Sequence, residues 1–423
     1  MALKPSAGTD VAINLIHVSD IHFGSGEGHG RINPATGLNI RFEDFVLAFK
    51  KTVDYAIDCG VDVFLFSGDA YRNASPEPIY QKFFAAELKR LSDASIQTVL
   101  VVGNHDQIMR SHTSHAMSVF QSLAVPGILI VDKPVSTVLR TANGALQLIG
   151  IPHITRHQLM TLEKYAGLPS AALDRVLIEH ITALLRGYYD ALDPDLPTVV
   201  TAHMGVDSAL AGIEQELLIG YTLTFPAEMF IDSRLDYIAL GHIHKYQVLR
   251  QAEPTMLYAG SLERVDFGEE KEDKGFVHAT ISRGRTDYKF CSIDPRPFVT
   301  VSVDCSKDND PMERLSKAIG KSIVPGCVMR IKYTATEQQM PLILEDTLRA
   351  LCSQALSLRI QPEIVQTQSR ARMPQMTETA ASSPLVALET YLNDVAPDRK
   401  EKLLAQAREL AEELSCECSG ESN

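Results

Sequence analysis

The stretch "NLIHVSDIHFG", Asn14 to Gly24, decides how the chain is read: a short apolar run ends at Asp20, and His22 follows two residues later. A run of this length and composition reads as a buried strand. Four more runs end the same way. "VDVFLFSGD" ends at Asp69, "TVLVVGNHD" delivers Asn104, His105 and Asp106, "TVVTAH" delivers His203, and "YIALGHIH" delivers His242 and His244. Each polar residue thus sits just past the carboxyl end of a predicted strand, at the rim where α/β sheets bind ligands. A single histidine after a strand is commonly structural, and "GD" is commonly a turn. The weight lies in the repetition. Gly68, Gly103 and Gly241 precede the first polar residue of their loops, where the chain is expected to turn sharply and pass close to an ion or phosphate.

Outward from these runs, "FEDFVLAFKKTVDYAIDCG" and "PIYQKFFAAELKRLSDA" carry helical patterns between the first strands, so the opening stretch reads as α/β with buried parallel strands. A second strand-rich stretch runs from "LQLIGIPH" to "DYKFCSID", with a helical insert at about 156–189. Residues 295–366 then read strand, helix, strand, helix, strand, which suits a small α+β domain after a first domain at 1–294. "QTQSRARMPQMTETAASSP" is poor in large apolar residues, and 367–384 reads as a linker. Residues 385–418 carry two helical stripes broken near "APD", a hairpin of helices. Two short tethered helices leave apolar surface over, which either docks back on this chain or meets a partner.

At 423 residues and 45% apolar, the chain can build a sizeable core. It has no apolar run long enough for a bilayer and no leader pattern at its start, so a soluble cytoplasmic protein is expected. The 7 cysteines are scattered, and the "CEC" at Cys416 and Cys418 offers too few thiols for a metal site alone. A net charge of −13 argues against a broad basic face for nucleic acid. Metal ions can supply positive charge locally. Asp, Asn and His donors without a thiolate suit two hard or borderline divalent cations if Asp69 bridges them. Mn²⁺ or Mg²⁺ fits best, with Fe and Zn compatible.

"DIH", "GD", "GNHD", "H" and "GHIH", in this order over residues 12–290, resemble the signature of calcineurin-like metallophosphoesterases. Within that superfamily, "HVSDIHFG", "SGDAYRNASP", "LGHIHKYQVL" and "YAGSLERVDFGEEKEDKGF" resemble the SbcD nucleases, which work with the ABC ATPase SbcC on DNA breaks and ends. The resemblance implies a four-layer α/β/β/α sandwich with a small α+β cap domain and a C-terminal helical pair that binds the ATPase. It also implies Mn²⁺, a homodimer, and double-strand exonuclease with single-strand endonuclease activity. One ion would be held by Asp20, His22, Asp69 and His244, the other by Asp69, Asn104, His203 and His242. His242 and His244, two apart in an extended segment, would face one site. His105 would contact the phosphate or protonate the leaving oxygen, with Asp106 holding its imidazole.

Arg31, Arg41, Arg72, Arg110, Lys245 and Arg264 lie near the motifs and are candidates for the DNA backbone, though solvated surface charge explains each equally well. Two dications offset only four of the net negative charges, so the isolated chain is expected to bind DNA weakly. Two other classes stand beside the nuclease: a phosphodiesterase of the same fold for small substrates, and a scaffold without turnover. The C-terminal third favours the nuclease, because a small-molecule hydrolase has no evident use for a cap domain, linker and helical pair. The remaining histidines read as structural, His153 being the nearest rival as a site residue.

Overall fold

Strand β1 (Ile13–Val18) pairs in parallel with β2 (Val63–Phe66), β2 with β3 (Gln97–Val101), and β3 with β4 (Ile128–Val131). Two antiparallel strands, β13 (Gly275–Ser282) and β14 (Arg285–Ser292), extend the edge beside β1 and complete a six-stranded sheet. A second six-stranded sheet has a parallel centre of β6 (Gly144–Ile151), β7 (Thr198–His203), β10 (Tyr237–Gly241) and β12 (Thr255–Tyr258). Antiparallel strands close its edges: β5 (Val135–Thr141) on β6, and β11 (Gln247–Arg250) on β12; β8 (Gly205–Val206) and β9 (Thr224–Phe225) form a separate short parallel pair. The computed structural model describes residues 11–24, 28–107, 114–156, 165, 167–210, 223–365, 385–386, 388–389, 392 and 400–418. Arg110 and the 367–384 linker lie outside them, as do the side chains of Cys416 and Cys418.

Strand alternation assigns the faces. Ile13, Leu15, Val63, Leu65, Val99 and Val101 point between the sheets and meet Leu146, Leu148, Val199, Tyr237, Ala239 and Leu257 of the second. On the other face of the first sheet, Ile16, Val18, Phe64, Phe66 and Leu100 pack under α1 (Ile40–Asp58) and α2 (Pro78–Asp93). Helix α1 starts where the Asn39 side chain accepts from the Arg41 amide at 2.8 Å, and it buries Phe42, Phe45, Phe49 and Val53 on one stripe. Each such phenylalanine contributes roughly 1.5–3 kcal/mol by leaving water. A short helix, α3 (Ser118–Leu123), precedes β4. The second sheet is covered by α4 (Ser170–Asp190), whose Leu173, Leu177, Ile181 and Leu185 recur every fourth residue against Ile149, Val200 and Leu240. The layers are therefore α/β/β/α, as the family resemblance implies.

Downstream, β15 (Phe298–Asp304), α5 (Pro311–Ser322), β16 (Val328–Thr336), α6 (Glu345–Leu351) and β17 (Ser357–Val365) follow one another, and the strands form a third sheet in chain order. The chain has two compact units. One takes Met1–Ser302, Lys317–Ile331 and Asp346–Gln361, and the other takes Val303–Ser316, Lys332–Glu345 and Pro362–Asn423. In the second unit α7 (Lys400–Cys418) is one helix of the tail; Lys400 pairs with Glu389 at 2.9 Å, and Leu392 and Leu404 are buried. No helix among the described residues is long and apolar enough to cross a membrane.

Candidate metal centre

The carboxyl ends of β1, β2 and β3 in one sheet and of β7 and β10 in the other open onto the same rim. Asp20, His22, Asp69 and His242 take positive φ values of 54°, 52°, 60° and 102° although none is glycine. Such backbone costs on the order of 1–3 kcal/mol per residue and persists where its surroundings over-determine it. Here the strain turns four side chains inward. Gly68 (φ 104°) makes the turn before Asp69, whereas Gly103 and Gly241 are needed for space. A Cβ at Gly103 would lie 2.1 Å from Asp69 Oδ1, and one at Gly241 2.1 Å from the Ser67 carbonyl. These two glycines thus make room for a site side chain and its backbone neighbour.

Two groups of donors form, with Asp69 between them. Asp20, His22 and His244 offer ligand atoms within 4.8 Å of one another, as do Asp69, His203 and His242. Asp69 Oδ2 is 3.2 Å from His203 Nε2 and 3.7 Å from His22 Nε2, so one carboxylate faces both groups. Asn104 Oδ1 lies 3.0 Å from His203 Nε2 and 2.9 Å from His242 Nδ1. The His22 and His244 Nε2 atoms meet at 2.9 Å. The buried His22 Nδ1 has no hydrogen-bond partner. Converging carboxylate, imidazole and amide donors, without sulfur, fit divalent cations of hard or borderline character.

His242 and His244 do reach the same centre, by a route other than an extended strand. Strand β10 ends at Gly241, and His242 turns left-handed, its amide donating to Asp20 Oδ2 at 3.1 Å. Its ring then meets Asn104 and His203, while His244 faces His22.

The electrostatics follow from burial and the two carboxylates. Burial works against the charge on His203, but Asp69 and Asp20 lift its imidazole to about 9. Glu269, again against burial, lifts His244 to about 9. Burial and the neighbouring imidazoles hold His22 and His242 well below the usual histidine range. Burial raises Asp20; in Asp69 the His203, His22 and His105 imidazoles overcome burial and hold the carboxyl well below its ordinary value.

His105 comes within 4.8 Å of His22 and Asp69, and its backbone amide donates to Asp69 Oδ1 at 2.9 Å. Its Nδ1 donates to the Arg72 carbonyl at 2.9 Å. Asp106 does not hold that imidazole, contrary to expectation. The Asp106 carboxylate is buried and accepts from the amides of Asp69 (3.0 Å), Ala70 (3.3 Å), Gly103 (3.1 Å) and Tyr71 (3.2 Å). It welds two ligand loops together. Burial and the nearby Asp69 charge raise it to about 7, against the amides of Gly103 and Tyr71.

The basic candidates divide. Arg31, Arg72 and Lys245 are exposed. Arg41 is fully buried: it pairs with Asp44 at 2.6 Å and Glu263 at 3.4 Å and donates to the Arg264 carbonyl at 2.7 Å. Arg264 spends its guanidinium on the carbonyls of Glu269, Pro295, Arg296 and Glu272. Both arginines are structural, so neither is available to DNA. Sequence reasoning missed two supports of the site and weighed a third, His153, only as a rival. The Ser67 carbonyl accepts from His203 Nδ1 at 2.7 Å, Glu269 backs His244, and the His153 ring sits 5.8 Å from that of His242. For His153 the signal was present, since "LQLIGIPH" ends on the same rim.

Residues 13–246 match the family described as calcineurin-like phosphoesterase. The SbcD component of the nuclease SbcCD from Escherichia coli (strain K12) is 26% identical over 282 residues, 65% of this chain and 66% of that protein. The DNA double-strand break repair protein Mre11 of Haloferax volcanii is 25% identical over 305 residues, 72% of this chain and 57% of its own length. An uncharacterized metallophosphoesterase, YhaO of Bacillus subtilis, is 24% identical over 286 residues, 66% of this chain and 60% of that protein. The chain thus spans somewhat less than two thirds of each of these three relatives. With a match over more than half its length and a donor set at the matching strand ends, the chain belongs to the calcineurin-like phosphoesterases, a family of metal-dependent phosphoester hydrolases.

Proposed function

We propose that the chain is a DNA nuclease of the SbcD type, hydrolysing phosphodiesters at DNA breaks and ends with two divalent ions, Mn²⁺ by preference, together with a cytoplasmic ABC ATPase. The observation that carries the proposal is the meeting of side chains from five strand ends at one rim, with Asp69 facing both donor groups. The names of the bacterial and archaeal relatives, a nuclease component and a break-repair protein, support DNA as the substrate.

In this reading Asp20, His22, Asp69 and His244 hold one ion, and Asp69, Asn104, His203 and His242 hold the other. Bound ions supply Lewis acidity toward the phosphate and toward water. The chain does the rest. The Ser67 carbonyl occupies His203 Nδ1 and so turns its Nε2 lone pair inward. His105, its Nδ1 engaged by the Arg72 carbonyl, exchanges a proton only at Nε2, toward the leaving oxygen. Arg31, Arg72 and Lys245 meet the phosphate backbone.

Residues 295–366 are a small α+β domain, and the 385–418 segment docks on the coiled-coil base of the ATPase. The working unit is a homodimer. The test is incubation of the purified chain with end-labelled duplex DNA and with a chromogenic phosphodiester, each with Mn²⁺, Mg²⁺ or chelator. Mn²⁺-dependent shortening of the duplex is expected; cleavage of the small ester alone would replace this reading with a small-substrate phosphodiesterase. Deleting 385–418 is expected to abolish co-purification with the ATPase and to spare the small ester.

A further inference from the structure

The stretch "YAGSLERVDFGEEKEDKGF", Tyr258 to Phe276, supplies none of the proposed ligands, yet it buries two charged side chains beside one of them. Glu269 is 6% exposed and Lys274 0%. Charges are not buried without partners, and these two are fully engaged. Glu269 Oε1 accepts from His244 Nδ1 at 2.6 Å. Its other oxygen accepts from Lys274 Nζ at 2.8 Å, from the Val265 amide at 3.0 Å and from Ser261 Oγ at 3.3 Å. The Lys274 ammonium also donates to Glu272 at 2.8 Å and to the main-chain carbonyl of His244 at 2.9 Å. The three ammonium donors thus have three acceptors. One ion pair therefore holds both the ring and the backbone of His244.

The two donor groups are unequal in this respect. His203 leans on a neutral carbonyl, that of Ser67, and its group contains the neutral Asn104 amide. His244 leans on a carboxylate, and its group contains Asp20. An imidazole that donates from Nδ1 to a carboxylate is fixed in one orientation and is a stronger donor at Nε2. We infer that Glu269 and Lys274 are positioning residues that aim His244 Nε2 at the ion shared with Asp20 and His22, and that they make this ion the more tightly held of the two. The inference rests on the two-ion reading above.

The test is equilibrium dialysis of the chelator-stripped full chain against graded Mn²⁺, with bound metal counted by atomic emission and folding followed by thermal melting in chelator. Two unequal binding steps are expected for the unaltered chain. Glu269→Ala is expected to weaken the tighter step by roughly 10- to 100-fold and to leave the other within about twofold. Lys274→Met is expected to move the same step in the same direction. Glu269→Gln keeps an oxygen for His244 Nδ1–H, so part of the loss is recovered; this variant carries the test if the alanine chain does not fold. Unchanged steps, or equal weakening of both, would overturn the inference while leaving the two-ion reading intact. A chain that takes up one ion or none overturns the reading and the inference together.

Discussion

Replacing Asp106 by alanine separates two roles that the motif "GNHD" leaves open. If this carboxylate steadied the His105 imidazole, its loss would slow turnover and leave the fold intact. In the structure it accepts four backbone amides at 3.0–3.3 Å inside the protein and has no bond to His105. Each buried donor left unsatisfied costs about 1–3 kcal/mol, and this is the larger effect here, because burial and Asp69 already raise the Asp106 carboxyl to about 7 and so disfavour its charge. Four long bonds sharing one carboxyl group, three of them on Oδ2, are not independent, so we expect Asp106→Ala to destabilise the chain by about 4–6 kcal/mol. That is a large part of the roughly 5–15 kcal/mol typical of a folded domain. Asp106→Asn keeps one oxygen and turns an amide donor toward other donors, for a loss of about 2–3 kcal/mol. The assay is urea unfolding in excess chelator, which removes the contribution of bound metal, with His105→Ala as the comparison at under about 1 kcal/mol. An Asp106→Ala chain within about 1 kcal/mol of the unaltered protein would refute the welding role.

Asp69→Ala is expected to abolish hydrolysis and to remove more than one bound ion per chain by atomic emission, because its carboxylate faces both donor groups; His105→Ala is expected to lose turnover and keep both ions. In filter-binding titrations over a range of salt, Arg72→Ala and Lys245→Ala are expected each to reduce the salt slope of DNA binding by about one. Arg41→Met leaves that slope unchanged and instead destabilises the chain by about 3 kcal/mol, since Glu263 is left buried with an uncompensated charge. Burial depresses His17 from 6.5 to about 3, against a bond donated to the Leu240 backbone, so below pH 6.5 the unfolded chain takes the proton first and stability falls as the pH falls. That one group is expected to cost about 2 kcal/mol between pH 8 and pH 5, measured as the difference between the unaltered chain and His17→Gln in urea unfolding at both values.

Much of the site was legible because strands announce themselves locally. An apolar run of five or six residues ending in Asp or His can be read in a short window, and it locates Asp20, Asp69, His203 and His242 at strand ends whatever the sheets do next. Roles that depend on distant contacts were not legible. Arg41 sits in the sequence as an ordinary charged residue near a glycine-rich loop, and only the presence of Glu263, more than 200 residues on, makes it a buried structural cation. Asp106 looked like a partner for its neighbour His105 because adjacency is all that a sequence displays; the Asp69 loop that it fastens begins 37 residues earlier. Lys274 is one charge in an acidic run, and nothing local marks it as fully buried.

From its amino acids alone, this protein declares an α/β architecture, a set of oxygen and nitrogen donors at strand ends, and membership of a phosphoesterase superfamily. Whether those donors form one centre was for the tertiary structure to decide. The strands fall into two sheets, three donor-bearing ends in one and two in the other, and Asp69 meets His203 across 134 residues of chain. Side-chain periodicity reports which face of a strand is buried, an interaction within a few residues. The packing of one sheet on another, with their carboxyl ends at the same rim, arises from apolar surfaces far apart in the chain, and no short window contains both.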